Sequence, residues 1–169
     1  MRSVLLFVDD IYEDLELWYP KIRMEEAGFK TAVAGPEAGK TYAGKHGYPC
    51  KAELSFDQVQ ASSFAGLIIP GGFAPDKIRR HAKALEIVRQ MNDAKKTIAF
   101  ICHAGWVLIS AKVLKGKQVT GFSAIKDDLE NAGAHYVDKA VVVDGNLISS
   151  RSPSDLPHFC KAILEHLEK

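Results

Sequence analysis

One stretch limits the possible folds more than any other: Thr97-Ile98-Ala99-Phe100-Ile101-Cys102-His103-Ala104-Gly105-Trp106-Val107. Its first five residues are mostly apolar and β-branched or aromatic, which predicts a buried strand. Val107, Leu108, Ala111 and Leu114 then recur at helical spacing. A strand, a sharp turn and a helix put Cys102 at the turn, over the carboxyl edge of a sheet and beside the free N–H groups of a helix N-terminus. Those groups favour negative charge, so the position predicts a depressed thiol pKa. The arrangement is a nucleophile elbow with Cys in place of Ser. The alternative is a buried cysteine that only ends a strand, since a free thiol packs as a small apolar group.

The remaining pattern alternates strand and helix. Apolar runs over residues 4–8, 29–34 and 64–69 predict further core strands, with a short strand or hairpin over 48–54. Helices are predicted from residue 11 to Gly28, over 76–94, after Cys102 to a stop at Lys115-Gly116-Lys117, over 125–132, and from an N-cap at Ser154 to the end. A short strand is expected over 119–122. Asp144-Gly145, between residues 137–143 and 146–149, predicts a hairpin. This order predicts an α/β fold with a mostly parallel sheet in three layers, as one domain over residues 1–169. Ligands of such sheets bind beyond the carboxyl ends of the strands, so the ends near Asp9, Pro70 and Cys102 should converge on one crevice.

Composition narrows the function. Lys plus Arg number 22 and Asp plus Glu 21, so no net field attracts nucleic acid or an anionic membrane. No apolar run reaches membrane-spanning length. Three cysteines at wide spacing, without a CxxC, argue against a disulfide framework or structural zinc and fit a reducing cytoplasm. Neither GxGxxG nor GxxxxGK[ST] occurs, so no nucleotide cofactor and no metal is expected.

Glu13 and Glu16 lie three apart, on about one helical face. Glu13 is readily explained as a solvated acid favoured by the helix dipole. Glu16 stands among Leu15, Leu17 and Trp18, where apolar surroundings would raise its pKa. If it meets the sulfur of Cys102, the two share a proton, and a protonated Glu16 is a candidate general acid. Gly71-Gly72 follow a strand and Pro70; they suit either a plain loop or backbone N–H groups aimed into the crevice, with the N–H of His103 as a second donor. His103 either acts as a general base or lines the pocket. Cys50 and Cys160 lack acid–base neighbours, and Cys160 reads as packing.

At these residues the chain resembles the ThiJ/PfpI superfamily, in particular its small PfpI-like branch. The resemblance rests on residues 13–20, Gly44-Lys45-His46-Gly47-Tyr48, Leu67-Ile68-Ile69-Pro70-Gly71-Gly72, Ile101-Cys102-His103, Ile125-Lys126-Asp127-Asp128 with Asn131-Ala132-Gly133, Val143-Asp144-Gly145-Asn146 and Ser149-Ser150-Arg151. It implies a flavodoxin-like sandwich, a strained nucleophilic Cys102 bonded to Glu16, and oxyanion donors at Gly71 and Gly72. It also implies homodimers or hexamers. In the branch, an acid from a neighbouring subunit orients the histidine; the matching position is Asp76, one methylene shorter than the usual Glu. The activities implied are glyoxalase or deglycase chemistry on a small carbonyl compound in stress protection, peptide hydrolysis, or a non-enzymatic redox or chaperone role.

Overall fold

The computed structural model describes residues 2–169. In chain order the elements are β1 (Ser3–Phe7), α1 (Asp14–Glu26), β2 (Lys30–Gly35), β3 (Thr41–Ala43), β4 (Pro49–Lys51), β5 (Leu54–Ser55), β6 (Gly66–Ile69), α2 (Ala74–Ile78), α3 (Ala82–Asp93) and β7 (Thr97–Ile101). There follow α4 (Gly105–Ala111), β8 (Gln118–Val119), α5 (Lys126–Asn131), β9 (His135–Tyr136), β10 (Val142–Asp144), β11 (Leu147–Ser150) and α6 (Leu156–Leu167).

Seven strands form one sheet in the order β10-β11-β7-β6-β1-β2-β5. All pairs are parallel except the β10–β11 hairpin. The central strands are buried on both faces, with every residue of β6 and β7 inaccessible, which is why their sequences run apolar without alternation. Helices α1 and α6 pack together on one face, and α2, α3 and α4 on the other. The fold is therefore the flavodoxin-like α/β sandwich, with Cys102 in the strand-to-helix turn.

Because the strands are parallel, the carboxyl ends of β1, β6, β7 and β11 open at one edge. Strand order reverses between β6 and β1, the usual place for a crevice. Residues 11–13, just after β1, fasten that edge. The Glu13 N–H donates to the Gly71 carbonyl, the Phe73 N–H to the Ile11 carbonyl, and the Lys45 N–H to the Tyr12 carbonyl.

Three predicted boundaries are corrected. The helix expected over 76–94 is two helices, α2 and α3, because His81 is extended. Its ring lies near Asp9, at 3.7 Å, and against Phe56; Ile78 and Leu85 are both helical but on separate helices. Helix α4 stops at Ala111, since Lys112 takes a left-handed φ of 61°, well before Gly116. Ser154 does not cap α6. A short 3-10 turn over Pro153–Asp155 precedes it, and the Asp155 carboxylate is held by the Arg151 guanidinium and main chain. Among the described residues no helix is long and apolar enough to cross a membrane.

Candidate active site

Cys102 directly follows β7 with a φ of +61°, a conformation costly for any residue with a side chain. The bend turns its sulfur into a cavity of about 360 Å³. The walls come from four strand ends and two further segments: Ile11, Glu13 and Glu16 after β1; Gly72 and Phe73 after β6; Cys102, His103 and Trp106 after β7; Ser152 and Pro153 after β11; and Lys45 and Phe122. A larger hollow of about 580 Å³ lies against the outer side of α1. Its lining is mainly apolar and holds no nucleophile, so the chemistry belongs to the smaller cavity.

Glu16 is completely buried. Its Oε2 accepts the N–H of Gly71 at 2.7 Å, and its Oε1 is buried without a hydrogen-bond partner among the described residues. Burial is the largest cause that raises this carboxyl, to about 8, and the charge of Glu13 adds to it. Glu16 thus holds its proton well above the usual carboxylate range, the direction expected, with the burial supplied by packing on Gly71 beside Cys102 while Leu15 faces outward.

The thiol departs from expectation. The N–H groups of Gly72 and His103 do favour its thiolate, but burial and the nearby Glu16 outweigh them and push Cys102 up to about 12. The elbow alone does not deliver a free thiolate, because the sulfur is almost wholly removed from water. The repulsion from Glu16 exists only when Glu16 is charged. Its proton therefore lets the sulfur ionise, and the two groups act as one coupled pair.

His103 both lines the cavity and reaches the sulfur. Adjacent side chains at a turn ordinarily diverge, yet His103 Nδ1 lies 3.1 Å from Cys102 Sγ. Its ring stacks on Phe122 at 4.9 Å and meets Trp106 edge-on at 5.1 Å. Burial, then the charge of Lys45, lowers its pKa, so the imidazole is neutral and can accept a proton from sulfur.

The two glycines have different tasks. Gly71 is not an oxyanion donor, since its N–H is engaged by Glu16. It is needed for close approach: a Cβ there would lie 2.5 Å from Glu16 Oε2 and 2.7 Å from Cys102 Cβ. Gly72 has a φ of +75° and turns its N–H toward the sulfur. Glu13 is buried rather than solvated, with its carboxylate 3.7 Å from His46 Nε2. Glu13, Asp14 and His46 bring ligand atoms within 4.8 Å of one another. Both Asp14 oxygens accept main-chain N–H groups, from His46 and Tyr48, so the cluster fastens the β3–β4 turn to α1.

Asp76 does not line the cavity and is ion-paired with Arg80 on its own chain. Lys45, Phe122, Trp106 and the Ser152-Pro153 wall are pocket residues that reading the sequence leaves without a role. Lys45 stands in the 44–48 motif, which could have flagged it. Phe122 carries no signal, since the contact that matters is with His103.

Known proteins place this arrangement. The family model described as DJ-1/PfpI family matches residues 2–166. The deglycase PH1704 of Pyrococcus horikoshii is 47% identical over 166 residues, covering 98% of this chain and 99% of that protein. The deglycase PfpI of Pyrococcus furiosus is 46% identical with the same coverage. Among solved structures, a two-domain protein of Anabaena variabilis with DJ-1/ThiJ/PfpI-like and ferritin-like domains superposes with a TM-score of 0.98. It is 41% identical, and the match covers 99% of this chain but 48% of that one. On sequence and fold alike, the chain belongs to the DJ-1/PfpI family.

Proposed function

We propose that the protein is a cofactor-independent cysteine enzyme of the deglycase type, acting on reactive carbonyls such as methylglyoxal or its early adducts on amines and thiols, in stress protection. One observation carries this reading: a fully buried Glu16, its carboxyl pushed up to about 8 by burial, packed with Gly71 and Cys102, and His103 Nδ1 at 3.1 Å from the sulfur. His103 takes the thiol proton as sulfur adds to the aldehyde carbon. The new oxyanion meets the N–H groups of Gly72 and His103 and is protonated by Glu16, giving a hemithioacetal. Glu16 or His103 moves a proton from the aldehyde carbon to its neighbour, leaving a thioester, and water releases lactate and the free thiol. The deglycase names of the two Pyrococcus relatives support the same class of chemistry.

Peptide hydrolysis is the second reading, favoured by the contact between His103 and the sulfur. It must protonate a poor amine leaving group and needs an acid to orient His103. Asp76 of a neighbouring copy would fill that place in a homodimer or hexamer, which we propose as the assembly. Phe73 and Ile11, both large and exposed beside the crevice, support a contact between copies there. The test is a purified-protein comparison of methylglyoxal with an unstructured peptide, in wild type and Cys102→Ser. The carbonyl reading expects lactate release that vanishes in Cys102→Ser; peptide cleavage alone would overturn it.

A further inference from the structure

The two amides at Gly72 and His103 can hold one substrate oxygen. A 1,2-dicarbonyl has two, and moving a proton between its carbons places negative charge on the second. The acidity of the carbon being deprotonated depends on an electrophile at that second oxygen. The carboxyl of Glu16 cannot both relay the proton and neutralise this charge.

Among the described residues that line the cavity, Lys45 is the only lysine or arginine. It has no ion-pair partner among them. The nearby Glu13 carboxylate faces His46. Lys45 is solvent-exposed and lines the cavity, and its charge acts on both Glu16 and His103, so its flexible side chain brings a cation to the rim of the reacting centre. Its backbone is tightly placed. The Lys45 N–H donates to the Tyr12 carbonyl at 2.7 Å, and the Gly44 N–H to the Tyr48 carbonyl. Asp14 grips the same turn, and Gly44 leaves no room for a side chain against that carboxylate. The turn is thereby locked to α1, the helix that carries Glu16.

We infer that Lys45 is a catalytic electrophile of this cavity, binding the second oxygen of a vicinal dicarbonyl and neutralising the enediolate formed from it. The inference rests on the carbonyl reading above and narrows it to substrates with two adjacent carbonyl carbons. In the step concerned, a base removes the proton from the sulfur-bearing carbon of the hemithioacetal. That electron pair forms the carbon–carbon double bond, and the former ketone oxygen becomes an anion paired with Lys45. Return of the proton to the second carbon and transfer of the hydroxyl proton to the anionic oxygen give the thioester, with the former ketone oxygen now a hydroxyl. The step is an isomerisation and needs no oxidant or reductant.

The test uses full-length wild type, Lys45→Met and Lys45→Arg. Lactate formation from methylglyoxal is measured beside protection of Cys102 from alkylation by propanal, a monocarbonyl that can add to sulfur but cannot isomerise. Expected is a fall in kcat of at least about tenfold in Lys45→Met, substantial recovery in Lys45→Arg, and propanal protection within about twofold of wild type in both. Unchanged kcat in Lys45→Met overturns the inference, and so does parallel loss of propanal protection, which would mark a damaged pocket. Wild type without methylglyoxal turnover would instead overturn the carbonyl reading itself, and this inference with it.

Discussion

His103 Nδ1 and Cys102 Sγ sit 3.1 Å apart although the two residues are neighbours in the chain. The left-handed φ of Cys102 makes this possible, by folding the backbone so that both side chains enter one cavity. The histidine is then held by aromatic rings, Phe122 and Trp106, and by no carboxylate among the described residues. Carbonyl chemistry needs no further acid, because Glu16 holds the proton. Asp76→Ala should therefore change methylglyoxal turnover by less than about tenfold, while any peptidase activity collapses. Parallel loss of both activities, with the oligomeric state intact in light scattering, would refute this division.

Glu16 links activity and stability to pH in the same sense, since both decline as its proton is lost. Its folded pKa is raised from 4.5 to about 8. The stability tied to its proton is therefore full below pH 4.5 and is lost as pH rises through 8. Glu16→Gln keeps the acceptor for the Gly71 N–H but cannot lose a proton. Its thermal midpoint should match wild type near pH 4.5 and exceed it at pH 8.5 by several degrees, since about 1 kcal/mol moves a domain of this size by roughly 2–4 °C. Its turnover should fall at least about a hundredfold, and wild-type turnover should decline above pH 8 as the acid ionises. A pH-independent difference in midpoint would show that Glu16 is not the titrating group.

Gly71→Ala tests close packing without invoking backbone conformation. The added methyl would meet Glu16 Oε2 and Cys102 Cβ at 2.5 and 2.7 Å, so either the loop or the acid must move. A destabilisation of about 1–3 kcal/mol is expected, with loss of turnover. Denaturant unfolding and a kinetic assay on the same sample measure both; wild-type values in each would mean that the loop yields freely.

Cysteine alkylation separates access from ionisation. All three thiols are pushed up by burial, Cys50 to about 11 and Cys102 and Cys160 to about 12. Only Cys102 lines the site cavity and faces two N–H donors. It should be labelled first, with a rate still climbing above pH 8. Peptide mapping that finds Cys50 first, or a rate already level at pH 6, would contradict this account.

The parts of the site legible in the sequence are those fixed by local pattern. The apolar run into Cys102 and the helical spacing after it define the elbow, and the apolar neighbours of Glu16 correctly imply a raised carboxyl. Long-range contacts were not legible. Nothing near Gly71 in the chain says that its N–H belongs to Glu16, 55 positions away, and nothing near Phe122 says that it covers His103. The thiol was misjudged for the same reason: the helix terminus is visible locally, whereas burial is produced by distant segments. Likewise, the break between α2 and α3 is held by His81 against Asp9 and Phe56, not by a glycine or proline.

The parallel sheet also sets when the site comes into being. Strand β11 pairs with β7, and the Ser152-Pro153 wall follows it, about fifty residues after Cys102. During synthesis, β1, β6 and β7 emerge long before that wall. A nascent chain thus carries a cysteine whose cavity lacks one wall until residues 152–153 have been made. Docking of β11 and the segment after it is what separates an open thiol from an enclosed one. A slower reaction of Cys102 with a brief thiol label should then report, chain by chain, whether synthesis and folding have both passed that wall.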